Sequence, residues 1–228
     1  AAIDRGHRGA DESMRKANAE RAALLTPLAK AFATDVGIEV ANIGIQVHGG
    51  MGFIEETGAA QLLRDVRIAA IYEGTNGIQA IDLVHRKLTL NGGAAMRREI
   101  ADMRLIQNML EPITDEDFGT LSKRLAQSIA SLESASQWLL ATFAIRPQDA
   151  LAGANAYLRL FALARGCASL TRLAIAGRNA SDPALRGYRA LARFFGDHVA
   201  VEAKVLEDII TSGSDSLHAG AGFLMGDS

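Results

Sequence analysis

The stretch Ile68-Ala-Ala-Ile-Tyr-Glu-Gly-Thr-Asn-Gly-Ile-Gln79 sets one carboxylate, Glu73, between an uncharged approach and a glycine-bearing helix start. That arrangement suits proton abstraction. An acid that follows an apolar run such as residues 68–71 is expected in low dielectric, where a carboxylate's pKa rises and its strength as a base rises with it. Gly74 removes the adjacent side chain, so a flat ligand can approach the main chain where a Cβ would block it. Thr75 is a good N-cap for the helix outlined by Ile78, Ile81, Leu83, Val84 and Leu88. Free N–H groups at that helix start favour an anionic or electron-rich group. The plainer reading of the same residues is a helix entry with a solvated acid in its loop.

The elements that must position Glu73 come before it. Residues 11–25 read as a helix with little apolar stripe. Thr26-Pro27 reads as an N-cap followed by proline at the first position of a new helix. In that helix Leu28, Phe32, Val36, Val40, Ile43 and Val47 recur at three- and four-residue spacing. Gly37 and Gly44 inside it each cost about 1 kcal/mol relative to alanine, which close packing of a backbone or ligand would offset. Gln46-Val-His-Gly-Gly-Met-Gly-Phe53 ends the helix, with Gly49 at the left-handed C-terminal position and Gly50 and Gly52 loosening the turn. Residues 56–66 read as a further helix, in which Arg64 and Asp65 fix the loop by ion pairing.

Asn91-Gly-Gly93 is the best boundary in the chain and divides it into residues 1–90 and 94–228. Beyond it, apolar spacing predicts four helices, the first through Met96, Met103 and Met109, which read as core or bundle interface. The second runs from Leu121 to Phe143, the third from Leu151 to Ala174, and the fourth from Leu185 to Ile209. Residues 114–117 put acids in a first turn, Pro147 precedes Asp149, Gly177 stops a helix and Asp182-Pro183 starts the next. No strand-like alternation occurs, so the expected fold is all-α, with the downstream part an antiparallel bundle. Residues 1–10 show no element, and residues 212–228 read as irregular or disordered.

Composition narrows the function. With 49% hydrophobic and 22% charged residues in 228, the chain is ordinary globular protein. A net charge of -2 without a basic stripe argues against nucleic acid. The single cysteine, Cys167, excludes an intrachain disulfide and a multi-cysteine zinc site, and its helical position makes it a small core residue. Five histidines without clustered carboxylates give no metal site. No uncharged run approaches the roughly 20 residues of a transmembrane helix. A cytoplasmic setting is expected, with the mitochondrial matrix as the alternative. His85-Arg86-Lys87 suits a helix C-terminus by complementing its dipole.

Three motifs, Gln46 through Phe53, Arg64-Asp65-Val-Arg-Ile68 and Ile71-Tyr-Glu-Gly-Thr-Asn-Gly-Ile-Gln79, resemble in order and spacing the C-terminal helical domain of the acyl-CoA dehydrogenases. The part after Asn91 is similar to the extra C-terminal helical domain of a longer-chained subgroup, which includes dehydrogenases of methylthiopropionyl-CoA and of long acyl chains. The resemblance implies that Glu73 removes the pro-R α-proton of an acyl-CoA thioester while the β-hydrogen leaves as hydride to FAD. It places Tyr72 and Gly74 at the substrate. It puts Thr75, Asn76 and Gly77 against FAD, and Gln46, Val47, His48, Gly49 and Gly50 against the adenosine half of FAD bound mainly to a neighbouring subunit. Sharing of that kind implies a homo-oligomer, a dimer or tetramer, and the electron acceptor would be an electron-transfer flavoprotein or oxygen. Most relatives have Glu or Gln where this chain has Gly77, so one side-chain contact to the cofactor is missing. Nothing in the chain resembles the family's N-terminal helical domain, its middle β-domain or its arginine-bearing helix. The expectation is therefore a C-terminal fragment, inactive by itself. A non-catalytic helical oligomerisation or interaction module is the alternative.

Overall fold

In the computed structural model, which describes residues 2–9, 11–179 and 181–225, one helix of 37 residues, α2 (Glu12–His48), supports everything up to Leu88. At 1.5 Å per residue it is about 55 Å long. Asp11 caps it by accepting from the Met14 N–H at 2.7 Å. The boundary expected at Thr26-Pro27 does not exist. Thr26 Oγ1 donates back to the Ala22 carbonyl at 2.8 Å instead of capping, and Pro27 lies inside the helix, buried with Leu24, Leu28 and Ala31. Proline at a first helical position and proline mid-helix look alike locally. Here the apolar packing of α2 offsets the lost backbone hydrogen bond. A short helix α1 (Ala2–Arg8), where no element was expected, packs back on α2.

Past His48 the chain makes α3 (Gly50–Phe53), a 3₁₀ turn (Glu55–Thr57) and α4 (Ala59–Arg67), which returns along α2. The return explains Gly37, because a Cβ there would stand 3.1 Å from Val66 Cγ2. Gly44 has no such reason, with open space where its Cβ would be. A 3₁₀ turn (Ile68–Ala70) leads to α5 (Asn76–Asp82), which runs into a π-helical turn (Leu83–Lys87) that buries Leu83 and Val84 together.

Where the boundary was expected, three successive residues are left-handed: Asn91 (φ 49°), Gly92 (φ 59°) and Gly93 (φ 82°). Then come α6 (Ala94–Leu110), α7 (Leu121–Phe143), α8 (Pro147–Ala152), α9 (Ala154–Ala176), α10 (Pro183–His198), α11 (Ala203–Thr211) and α12 (Asp215–Met225). The fourth expected helix is broken at Val199 into α10 and α11. The acids before α7 occupy a separate 3₁₀ turn (Glu116–Phe118). The stretch expected to be irregular carries α12. Asp182 caps α10 by accepting from the Ala184 N–H at 2.9 Å.

Helices on both sides of the left-handed turn share one interior, in which Leu24, Leu83 and Leu88 join Met103, Leu125, Tyr157 and Phe161. Met96 and Met103 are core as expected, whereas Met109 is exposed. Burial pushes the Cys167 thiol up to about 12, which suits an inert core residue. The Tyr157 hydroxyl meets Ser136 Oγ at 2.8 Å in the buried interior. A charged cluster also lies at this junction: Glu99, 1% exposed, binds Arg21 of α2 at 2.7 Å and Arg165 of α9 at 2.9 Å.

Candidate active site

Glu73 and Gly74 are both left-handed, with φ of 54° and 84°. Glycine tolerates this, but for glutamate it costs about 1 kcal/mol. Side chains hold the turn. Gln79 Nε2 donates to the Glu73 carbonyl at 3.2 Å, and Lys30 Nζ donates to the Gly74 carbonyl at 2.7 Å and to Asn76 Oδ1 at 2.7 Å. Asn76 Nδ2 donates to Thr34 Oγ1 at 2.9 Å and to Asp35 Oδ1 at 2.6 Å. Thr75 caps α5 as its sequence suggests, accepting from the Ile78 N–H at 3.3 Å. The Asn76 amide is thus committed to α2. The main chain of Gly77 is left open, since a Cβ there would meet nothing within 4 Å.

The Glu73 carboxylate has no hydrogen bond or ion pair among the described residues. It is also exposed, not in the dry surroundings expected. The apolar run ahead of it does not cover it, because Ile68, Ile71 and Tyr72 point outward as well and only Ala70 is buried. A short 3₁₀ turn on the surface cannot enclose a neighbouring acid. The described residues give the acid no low-dielectric environment.

The second cluster lies at the far end of α2. Gly49 ends the helix with φ 60° and ψ -142°, and its N–H donates to the Gln46 carbonyl at 3.1 Å. Its φ is positive as expected, but its ψ is not that of the left-handed helix. Gly50 opens α3 and is not a loose turn residue. Gly52 is buried, where a Cβ would lie 2.9 Å from Ile45 Cα. His48 Nδ1 sits 2.8 Å from the Gly44 carbonyl, a structural contact. Gln46, Val47, His48, Gly49 and Gly50 are all exposed, and a Cβ at Gly49 or Gly50 would meet nothing within 4 Å. From Thr34, beside Asn76, to Gly49 the rise along α2 is about 20 Å. One chain therefore does not bring the Gln46 to Gly50 loop and the Glu73 turn into one pocket.

Between and around the two clusters several large apolar side chains are exposed. The apolar spacing of α2 meets solvent at Val40, Ile43 and Val47 (79% exposed), and Met51, Phe53 (81%) and Leu62 extend it. Helical spacing marks a stripe without saying what covers it. Arg64 does pair with Glu55, at 2.5 Å, but among the described residues Asp65 accepts from Gln61 and not from a cation. His85 stacks on Phe143 with ring centroids 5.2 Å apart, while Arg86 and Lys87 both pair with Asp82. Among the described residues no cluster of His, Cys, Asp or Glu could hold a metal ion, and no helix is long and apolar enough to cross a membrane. Sequence reasoning gave no role to Lys30, Thr34, Asp35 or Gln79. Gln79 lies inside the motif, but Lys30 contacts a loop 44 residues away and carries no local signal.

A family model described as the acyl-CoA dehydrogenase C-terminal domain matches residues 7–88. Another, described as acetyl-CoA dehydrogenase C-terminal like, matches residues 100–220. The 3-methylmercaptopropionyl-CoA dehydrogenase of Ruegeria pomeroyi is 37% identical over 220 residues, covering 94% of this chain and 37% of its own length. A butyryl-CoA dehydrogenase of Syntrophomonas wolfei is 32% identical over 137 residues, covering 60% of this chain and 22% of its own length. The 3-(aryl)acrylate reductase of Clostridium sporogenes is 43% identical over 60 residues, covering 26% of this chain and 16% of its own length. The chain thus spans well under half the length of these relatives.

Proposed function

As the chain belongs to the acyl-CoA dehydrogenase family, we propose that it is the C-terminal part of an FAD-dependent enzyme that oxidises an acyl-CoA thioester to the 2,3-enoyl-CoA, with Glu73 as the base. The observation that carries this reading is a left-handed glutamate, held by its neighbours, whose carboxylate engages no partner among the described residues. Strain kept at a residue with an unpaired acid fits a functional demand better than a packing one.

The α-C–H of a thioester is a very weak acid, so the carboxylate must be placed against it and kept from water. The Glu73 turn places the acid. The bound thioester and the parts of the enzyme outside this chain desolvate it, raising its strength as a base. Gly74 lets the thioester pass close to the main chain, with Tyr72 beside it. FAD, when bound, supplies the acceptor for the β-hydrogen, which leaves as hydride. The open main chain at Gly77 and at Gly49 and Gly50 suits such a flat, phosphate-bearing group. The separation of about 20 Å along α2 supports giving the two clusters to FAD molecules of different subunits. A homo-oligomer, dimer or tetramer, then covers the apolar stripe, with an electron-transfer flavoprotein as electron acceptor and the bacterial cytoplasm as the setting. The isolated chain is inactive, since it supplies the base and little of the flavin pocket.

A purely structural role as a helical oligomerisation module is favoured by one observation, the exposed Val47, Phe53 and Leu62. Visible spectra of the intact polypeptide separate the two readings. A yellow protein bleached anaerobically by an acyl-CoA supports the enzyme. A folded, colourless protein that takes up no FAD overturns it in favour of the module.

A further inference from the structure

The Glu73 turn is fastened from α2 by one cation. Lys30 Nζ, half-buried, spans the Gly74 carbonyl and Asn76 Oδ1, on either side of Thr75, at 2.7 Å each. One helical turn further along the same face, the Thr34 hydroxyl donates to the Lys30 carbonyl at 2.9 Å and receives the Asn76 amide at 2.9 Å. Bonds from an ammonium are about twice as strong as neutral ones, so Lys30 dominates this small network. Among the described residues Glu73 itself is tied only through its backbone, by Gln79 at 3.2 Å. The helix that follows does not need Lys30 to stay in place, because Ala80, Leu83, Val84 and Leu88 are buried in the core.

We infer, on the reading of Glu73 as the base, that Lys30 is a positioning residue: by pinning the Gly74 carbonyl and the Asn76 amide to α2 it holds the left-handed turn from which the Glu73 carboxylate reaches a thioester α-carbon. Removing the ammonium leaves the Gly74 carbonyl without its side-chain donor and Asn76 Oδ1 with only the longer 3.3 Å contact from the Thr34 hydroxyl, and lets the turn relax from its strained conformation, while the core keeps the surrounding fold. The loss falls on proton abstraction and not on thioester binding.

The test uses the intact flavoprotein with Lys30→Met, and Glu73→Gln alongside. Anaerobic stopped-flow measures the rate and concentration dependence of flavin bleaching by an acyl-CoA. For Lys30→Met the saturating rate is expected to fall on the order of 10- to 100-fold, as for a reacting group displaced by an ångström or less. Half-saturation should move less than about threefold, the pattern of an interaction made mainly in the transition state. Flavin content and Tm should stay near those of the parent. A parent-like rate with Lys30→Met, when Glu73→Gln has abolished bleaching, overturns the positioning role alone. A parent-like rate with Glu73→Gln overturns the base assignment on which it rests. A rise in half-saturation at unchanged rate overturns the role by making Lys30 a binding residue. Should Lys30→Met fail to accumulate as folded flavoprotein, Lys30→Gln carries the same test, because a neutral amide on a shorter stem cannot reach both oxygens as the ammonium does. A fall of about threefold or more in rate at constant half-saturation then supports the role, and a parent-like rate overturns it.

Discussion

Replacing Glu99 by alanine removes the centre of a charged cluster that joins three helices. Glu99, 1% exposed, lies on α6 and takes Arg21 of α2 at 2.7 Å and Arg165 of α9 at 2.9 Å. Asp102, one turn on, shares the same two cations at 3.1 and 2.7 Å. Without Glu99, two guanidinium groups face one carboxylate. Removing one partner of a buried ion pair costs about 3–5 kcal/mol, and the partial exposure of Arg21 together with the remaining Asp102 puts the cost near the lower end. A chain of this size loses about 2–4 °C of Tm per kcal/mol, so Glu99→Ala should melt roughly 6–12 °C below the parent. Thermal unfolding followed by far-UV circular dichroism reads this directly. Glu99→Leu combined with Arg165→Met should recover much of the loss, because well-packed apolar replacements of buried ion pairs are often neutral. A Tm within about 2 °C of the parent for Glu99→Ala would refute the reasoning and leave the junction held by apolar packing alone.

Further outcomes follow from the same structure. Burial pushes the Asp102 carboxyl up, but the hydrogen bond and charge of Arg165 and the charges of Arg21 and Arg172 outweigh it and hold the group below the usual carboxylate range. With the folded pKa depressed, its stabilisation is present above the unfolded value of about 4 and is lost as pH falls through the folded value. Urea midpoints of the parent and Asp102→Asn should therefore converge as pH drops below about 4; a gap that stays constant contradicts this. Gly44→Ala, at an open helical site, should stabilise by up to about 1 kcal/mol, whereas Gly52→Ala should destabilise, its Cβ meeting Ile45 and His48 at 2.9 Å. Chemical denaturation of both variants gives the two signs, and equal signs would contradict the packing described. Val47→Glu with Phe53→Lys should shift the chain toward smaller species in sedimentation velocity, and an unchanged distribution means the apolar stripe is not the contact.

Local punctuation was legible in the sequence, and long-range cover was not. Thr75 before α5, Gly49 after α2, Asn91-Gly-Gly93 at the junction and Asp182-Pro183 before α10 each act through backbone geometry that a few residues determine. Pro27 misled, because its tolerance inside α2 depends on Leu24 and Leu28 being buried in the shared core, where α2 meets α6 and α9 far downstream in the chain. The break at Val199 and the π-helical turn at Leu83–Lys87 likewise follow from packing and have no short signature. Glu73 was found by its neighbours in sequence. The apolar run ahead of it suggested burial, yet Ile68 and Ile71 face outward because none of the described residues lies over them. Lys30 stayed invisible since a lone lysine on a long helix gives no hint of the carbonyl it will reach.

The claim that Glu73 is the base of an acyl-CoA dehydrogenase is tested most directly by α-proton exchange. The intact protein, loaded with a thioester analogue that cannot be oxidised at its β-carbon, is incubated in deuterated water, and deuterium at the α-carbon is followed by mass spectrometry. The parent should exchange one α-hydrogen, and Glu73→Gln should slow the exchange by at least about 100-fold, within the range contributed by a positioned general base. Exchange at the parent rate in Glu73→Gln would mean that another group takes the proton.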